Sequence, residues 1–524
     1  MATFFDQASL RAFLDRRVLV MLLLGFSAGL PILLIFGTLS VWLREAGVSR
    51  SMVTYFSWAA LGYSFKFVWA PLVDQLRLPV LTRLLGRRRS WLLLSQAAVI
   101  GAIWMMSSVD PGAGGQQGAS QALVILALGA VLLGFSSATQ DIVIDAFRIE
   151  IASPKMQAIL SSTYIAGYRI AMIVAGAGGL FLAEALGSAQ GAYQFEAWQT
   201  TYRVISAAML IGVITTLVAR EPEQSGASTL RLNENLQLTL MFLLCAGAFV
   251  GCYVFSAVLT DVIKSQLAEL LVNKVLAATL VESARLGMAV ACAWLVAKVL
   301  TAAHLVKSDI VDRSYVAPIR DFFSRYGATT AWLILALVGL YRISDIVLGV
   351  ISNVFYYDLG FTKSQIARVS KVFGLLMTIS GGFIGGWLAF RYGVMRILLL
   401  GAVLSAATNL LFMLFANIGP SEVMLYLVIG ADNLSAGIAG TAFVAFLSAL
   451  TNIRFTAVQY AIFSSLMTLL PKILGGYSGG IVDALGYSGF FVFTAAIGVP
   501  VILLILFASG RLRLNEPTLA SSSV

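Results

Sequence analysis

The chain reads as long apolar blocks separated by short polar segments. Apolar and polar positions do not alternate within a block, so these are not the ~10-residue alternating segments of a transmembrane β-barrel. Nearly all reach the ~20 residues that a helix needs to cross a bilayer. Fourteen spans are predicted, near 18–43, 50–73, 90–108, 121–147, 157–185, 200–219, 237–262, 274–300, 328–357, 364–390, 395–416, 421–449, 456–484 and 488–509. The first run follows Arg16-Arg17, as the apolar region of a signal peptide would, but it is too long for one and counts as a span.

Composition strengthens this reading: 59% of the residues are hydrophobic and 11% charged, against about 25% charged in a soluble domain. The net charge of +10 lies between the blocks. Arg11, Arg16 and Arg17 precede the first span, and Arg77, Arg83, Arg87, Arg88 and Arg89 follow the second. Lys155, then Arg220 and Arg231, then Lys307, Arg313, Arg320 and Arg325 continue on the same side. Arg391 and Arg396, Arg454, and finally Arg511 and Arg513 complete the series. The opposite loops 109–120 and 186–198 hold no Lys or Arg. Basic loops stay on the cytoplasmic side, so both termini are expected there. The basic excess therefore orients the chain in a membrane; no aromatic-basic pattern points to nucleic acid. Cys245, Cys252 and Cys292 lie in apolar blocks and read as small buried hydrophobes. His304 is the only histidine, which leaves little material for a metal site or a charge relay.

An internal repeat divides the chain. Ala46-Gly47-Val48-Ser49-Arg50-Ser51 follows the first span and Leu359-Gly360-Phe361-Thr362-Lys363-Ser364 the ninth. Each is a small turn, a candidate helix cap at Ser49 or Thr362, and a new apolar run. Two six-helix halves, 1–220 and 328–524, are thus expected, with an inserted two-helix hairpin in 221–327. Parallel halves of this kind suit a transporter.

Four stretches carry a family resemblance. Gly62-Tyr63-Ser64-Phe65-Lys66-Phe67-Val68-Trp69-Ala70-Pro71-Leu72-Val73-Asp74 ends the second span. Ala138-Thr139-Gln140-Asp141-Ile142-Val143-Ile144-Asp145-Ala146-Phe147 ends the fourth. Gly167-Tyr168-Arg169 and Gly440-Thr441-Ala442-Phe443-Val444-Ala445 add to them. The loop after the second span resembles the Gly-x-x-x-Asp-Arg signature of major facilitators, with Ala70 in place of its first Gly and Gln75 in place of its Arg. Together the stretches resemble the AmpG family of bacterial muropeptide permeases, from about residue 20 to 508. The Gln-Asp-x-x-x-Asp pattern is also similar to that of eukaryotic acetyl-CoA transporters.

The resemblance implies an all-α membrane protein of the major facilitator fold, not an enzyme. It implies a proton-coupled symporter that imports peptidoglycan fragments into the cytoplasm by alternating access, with a place in peptidoglycan recycling and β-lactamase induction. No cofactor is expected beyond the proton gradient. The expected partners are an anhydromuropeptide and the lipid bilayer of the inner membrane, with the chain a monomer.

Charges inside the spans are the candidate chemistry, because an ionisable group at mid-bilayer costs ~2.5–3.5 kcal/mol even on the insertion scale. Asp141 and Asp145 are spaced i, i+4 and share a helix face with Arg148. They read as a proton site, with Asp345, or as a structural ion network at the cytoplasmic mouth, Arg148 being an interfacial anchor. Arg342 and Asp345, i and i+3, can neutralise each other or hold a substrate carboxylate and a proton. Arg169 and Lys472 have no opposite charge within a turn, so a partner must come from another helix or from substrate. Gln140, Arg169, Arg342, Asp432 and Lys472 are the candidate substrate ligands, and Asp74, Arg88 and Arg391 the candidate gate. Glu282 and Arg285 are expected to pair within the hairpin. Gly176-x-Gly178-Gly179, Gly381-Gly382-x-x-Gly385-Gly386 and Gly475-Gly476-x-x-Gly479-Gly480 are candidate close helix contacts at the seam between halves.

Competing readings are a carrier of the same fold for an acyl-CoA, a sugar or a peptide, and a non-transporting receptor on a transporter scaffold. An intramembrane enzyme using Asp141 and Asp145 as acid and base is a third, without a nucleophile elbow, metal motif or nucleotide loop to support it.

Overall fold

A computed structural model describes residues 14–35, 37–48, 56, 63, 65–113, 116–189, 191–222, 232–257, 260, 263, 266–267, 274–361, 363–475 and 478–511. Lipid cannot satisfy backbone polar groups, so apolar blocks must bond internally as helices, and the described residues are helical throughout apart from turns and one isolated bridge, Ala189 to Ala192. In chain order the helices are α1 (Arg16–Ile35), α2 (Gly37–Glu45), α3 (Ala70–Gln75), α4 (Arg87–Ser107), α5 (Gln116–Glu150) and α6 (Gln157–Ile173). A π-turn, Val174–Gly178, leads into α7 (Gly179–Ala185), followed by α8 (Phe195–Ala208) and α9 (Leu210–Val218). The inserted segment holds α10 (Leu232–Phe255), α11 (Lys274–Ala302), α12 (Ser308–Val311), a π-turn at Asp312–Val316 and α13 (Ala317–Tyr326). The second half holds α14 (Ala328–Leu340), α15 (Ile343–Asp358), α16 (Gly374–Tyr392), α17 (Val394–Ile418), α18 (Glu422–Leu450), α19 (Thr456–Gly475) and α20 (Ser478–Arg511).

Among the described residues, 12 stretches are long and apolar enough to cross a membrane. Each matches one of the predicted spans. The second, 50–73, falls largely outside the described residues, as do the candidate caps Ser49 and Thr362. The thirteenth corresponds to α19 and the opening turns of α20. Within α20 the backbone breaks at Gly486, with φ 69° and ψ 173°. Such a left-handed φ suits glycine; the position falls between the predicted thirteenth and fourteenth spans, although the last apolar stretch, Ile481–Gly510, runs through it.

The chain divides into two compact units: Met1–Ala70 with Leu78–Gly226 and Phe322–Val524, and Pro71–Arg77 with Ala227–Asp321. In the first unit, Phe355, Phe412, Phe415 and Phe491 centre one apolar core and Trp42, Trp198 and Tyr202 another. Glycines set the closest contacts. Gly167 of α6 lies on the Leu22 carbonyl of α1, and an added Cβ would overlap that oxygen. Gly381 of α16 meets the Leu434 carbonyl of α18 in the same way. Small residues thus bring whole backbones together, which substitutes for hydrophobic drive in lipid. Gly386 faces Ser162 and the Ala158 carbonyl of α6, so this glycine joins the two halves, whereas Gly381 packs within one.

The second unit packs α10 against α11. The Arg285 side chain donates to the Tyr253 carbonyl at 3.0 Å and to Ser256 Oγ at 3.2 Å, and its guanidinium covers the Tyr253 ring at 4.0 Å. Its expected partner Glu282 has its side chain outside the described residues.

Candidate functional site

Four ionisable groups meet where the signature stretches of the second and fourth spans come together. Lys66 Nζ lies 3.6 Å from Asp145 Oδ2, both side chains buried. Arg148 Nη1 donates to Asp145 Oδ1 at 3.1 Å. Asp141, one turn earlier on α5, has Lys66, Asp145 and Tyr164 as neighbours, and its Oδ1 has no hydrogen-bond partner among the described residues. The i, i+4 spacing therefore does bring the two carboxylates to one face, with Lys66 a neighbour of both. Gln140, on the next face, is buried; its amide nitrogen donates to Ser27 Oγ of α1.

Arg148 differs from the interfacial anchor expected of it. Its side chain is 0% exposed. Besides Asp145 it donates to Ser448 Oγ of α18 at 3.1 Å, and its guanidinium lies over the Tyr164 ring at 5.8 Å and the Tyr460 ring of α19 at 5.1 Å. Its partners in the second half are some three hundred residues away in sequence, so no local pattern could reveal the burial.

A second link between halves lies at the same arginine-rich ends. Arg88, at the start of α4, holds Glu150, at the end of α5, in a fork: Nε to Oε2 at 3.0 Å and Nη2 to Oε1 at 2.6 Å. The same Nη2 donates to Thr456 Oγ1 of α19 at 2.7 Å, and that hydroxyl donates to Glu150 Oε1 at 2.6 Å. Arg87 Nη2 adds a 3.7 Å ion pair to Glu150. Removing one partner of a buried pair costs ~3–5 kcal/mol because the other charge is left without compensation. Glu221 fixes the start of α4, accepting from the backbone N–H of Arg88 at 2.8 Å and of Arg89 at 3.1 Å. Burial pushes the Glu221 carboxyl up, against the pull of those two N–H groups. Glu150, Glu221 and Thr456 were not among the predicted site residues; the first two sit at span ends, where a carboxylate is unremarkable in sequence.

The other candidates gather around a break in the ninth span. α14 stops at Leu340 and α15 begins at Ile343, leaving Tyr341 and Arg342 between them. Arg342 Nε lies 4.0 Å from Asp345 Oδ2, and Ser405 Oγ of α17 donates to Asp345. Asp432 of α18 accepts from Thr408 Oγ1 at 3.5 Å and has Asp345 and Arg342 as charged neighbours. From the first half, Arg169 of α6 faces Arg342. Its one hydrogen bond runs to Met172 Sδ at 3.7 Å, and it has no acidic partner among the described residues. Lys472 falls on α19, with its side chain outside the described residues.

The candidate gate residues separate. Arg88 joins the seam as described. Asp74 is buried on α3. Arg391 ends α16 exposed, its guanidinium over Trp387 at 5.9 Å and Tyr392 at 5.6 Å. No group of three or more His, Cys, Asp or Glu side chains with metal-ligand geometry occurs among the described residues. The arrangement suits binding and charge movement: ionisable groups of both signs in mid-span, on both halves, with buried links at one end of the seam.

The chain is similar to known transport proteins. The family model described as acetyl-coenzyme A transporter 1 matches residues 17–208. A putative transporter AmpG 4 of Rickettsia felis is 29% identical over 503 residues, spanning 96% of this chain and 99% of the relative. The anhydromuropeptide permease of Escherichia coli K12 is 29% identical over 511 residues, spanning 97% of this chain and 83% of the relative. These are names of transport proteins, not of enzymes. Among solved structures, the proton:xylose symporter XylE bound to 6-bromo-6-deoxy-D-glucose superposes with a TM-score of 0.59 over 96% of each chain, at 12% identity. The chain is thus an all-helical, multi-pass membrane protein of the major facilitator fold, with AmpG-named permeases as relatives along nearly all of its length.

Proposed function

We propose that the chain is a proton-coupled secondary transporter that imports peptidoglycan fragments, anhydromuropeptides, from periplasm to cytoplasm by alternating access. The observation that carries this reading is the likeness to an anhydromuropeptide permease along 97% of the chain. The site is compatible with it. Asp141, Asp145 and Asp345 would carry protons, and Gln140, Arg169, Arg342, Asp432 and Lys472 would hold the substrate. Arg88 would gate the seam, with Asp74 and Arg391 at the neighbouring span ends. The energy source would be the proton gradient, with no cofactor, and the transporting species a monomer. The test is uptake of labelled anhydromuropeptide into vesicles holding the protein, with and without an inward proton gradient. Accumulation only with the gradient is expected; accumulation that ignores the gradient would remove the coupling, and no uptake at all would remove the substrate.

The match of residues 17–208 to an acetyl-coenzyme A transporter model favours a second reading, a carrier of acyl-CoA esters. Under the first reading, excess acetyl-CoA leaves muropeptide uptake unchanged.

Orientation in the bacterial inner membrane follows from the basic loops. A reporter fused after Gly86 is expected in the cytoplasm and one fused after Gly114 in the periplasm. Both on one side would overturn the orientation and the span count together.

A further inference from the structure

The loop after the second span carries Gln75 where the major facilitator signature has an arginine. Gln75 is not left facing water. Ser314 Oγ donates to Gln75 Oε1 at 3.1 Å, and Gln75 Nε2 donates to the Arg313 carbonyl at 3.4 Å. Both ends of one amide are thereby used. Ser314 is fully buried, and both partners belong to the π-turn Asp312–Val316 of the inserted segment. π-turns interrupt the regular helical ladder and recur at sites with a job. The neighbouring cations do not compete for the amide: Arg313 Nε donates to Asp309 at 3.0 Å, and Arg320 Nη2 to Asp312 at 2.8 Å. Residues 71–77 group with the insertion as one compact unit.

The other end of this short segment is tied elsewhere. Lys66 is paired with Asp145, and Trp69 Nε1 donates to Thr139 Oγ1 of α5 at 3.1 Å. An arginine in place of Gln75 would offer donors only, and could not accept from the Ser314 hydroxyl as the glutamine amide does.

We propose that Gln75 is a positioning residue: through Ser314 and the Arg313 carbonyl it docks the end of the second span, residues 71–77, onto the inserted segment. The inference rests on the transport reading for its consequence in rate, but not for the contact itself.

The test uses the full chain, reconstituted, as Gln75→Leu, Ser314→Ala and the double variant. Amide hydrogen exchange of residues 66–77 is measured without substrate, and uptake of labelled anhydromuropeptide with a proton gradient. Each single variant is expected to raise exchange in 66–77 roughly five-fold, the effect of one lost hydrogen bond, with the double variant no worse than either single. Maximal uptake rate falls while the substrate concentration for half-maximal uptake holds. Unchanged exchange in the single variants, or losses that add in the double, would overturn the proposal. A change in half-maximal concentration at constant rate would overturn it too, by making the contact part of the substrate site. Should Gln75→Leu not fold, Ser314→Ala, which removes one hydroxyl, decides alone. If the wild-type protein takes up no anhydromuropeptide, the transport reading fails while the exchange measurement still judges the contact.

Discussion

Replacing Asp141 with asparagine is expected to abolish proton-driven accumulation while leaving exchange of substrate between internal and external pools. Asparagine keeps the shape of the side chain but cannot take up or release a proton near neutral pH. Asp141 is the carboxylate of the α5 pair with an oxygen that has no hydrogen-bond partner among the described residues, whereas Asp145 is held by both Lys66 and Arg148. The less restrained group is the better proton carrier, because its charge can come and go without breaking an ion pair. One unit of pH corresponds to ~1.4 kcal/mol, so one coupled proton supports about ten-fold accumulation per unit. That ratio is expected to fall to about one in Asp141→Asn. Counterflow into substrate-loaded vesicles then distinguishes a coupling defect from a binding defect. Normal accumulation in the variant would remove Asp141 from the mechanism.

Arg342→Lys is expected to weaken binding although the charge is kept, and Arg169→Ala and Lys472→Ala to weaken it more for an anionic than for a neutral ligand. A carboxylate near the midplane needs a cation beside it, since an unpaired buried charge is strongly disfavoured. Arg169 has no acidic partner among the described residues, and Arg342 shares Asp345 at a loose 4.0 Å. Both therefore retain capacity for a ligand. Arginine can grip a carboxylate with two parallel hydrogen bonds, which a lysine point charge cannot reproduce. Charge-assisted hydrogen bonds are each worth ~1.5–3 kcal/mol, so a loss of roughly ten- to one-hundred-fold in affinity is expected. The measurement is binding to the purified protein of one peptidoglycan fragment with its carboxylate free and with it amidated. Equal losses for both forms in all three variants would make these cations structural.

Local and long-range contacts differ in how much of them the sequence reveals. Apolar blocks mark the spans because lipid imposes one length scale on every helix. The shared face of Asp141 and Asp145 and the Arg342–Asp345 pair follow from helical spacing of a few residues. The break between α14 and α15 left only a weak mark: Gly339 lies in the last turn of α14, but Tyr341 and Arg342 themselves are neither proline nor glycine, the usual signals of an interruption. Arg88, Glu150 and Thr456 converge from three helices, and Arg148 from α5 reaches Ser448 and Tyr460. Such convergence depends on which helix ends meet, which hydropathy does not encode. Arg391, at the end of a glycine-rich span, has its guanidinium over aromatic rings of its own helix, a contact that helical spacing alone makes legible.

The links across the arginine-rich end of the seam are dry. Arg88 is 1% and Arg148 0% exposed at the side chain, whereas Arg313 beside Asp309 is 52% exposed. Mobile ions screen charges in water over about 8 Å at physiological ionic strength but scarcely reach buried pairs. Changes in the salt content of the surrounding fluid will therefore loosen the outer ion pairs and leave the hold between the halves almost untouched.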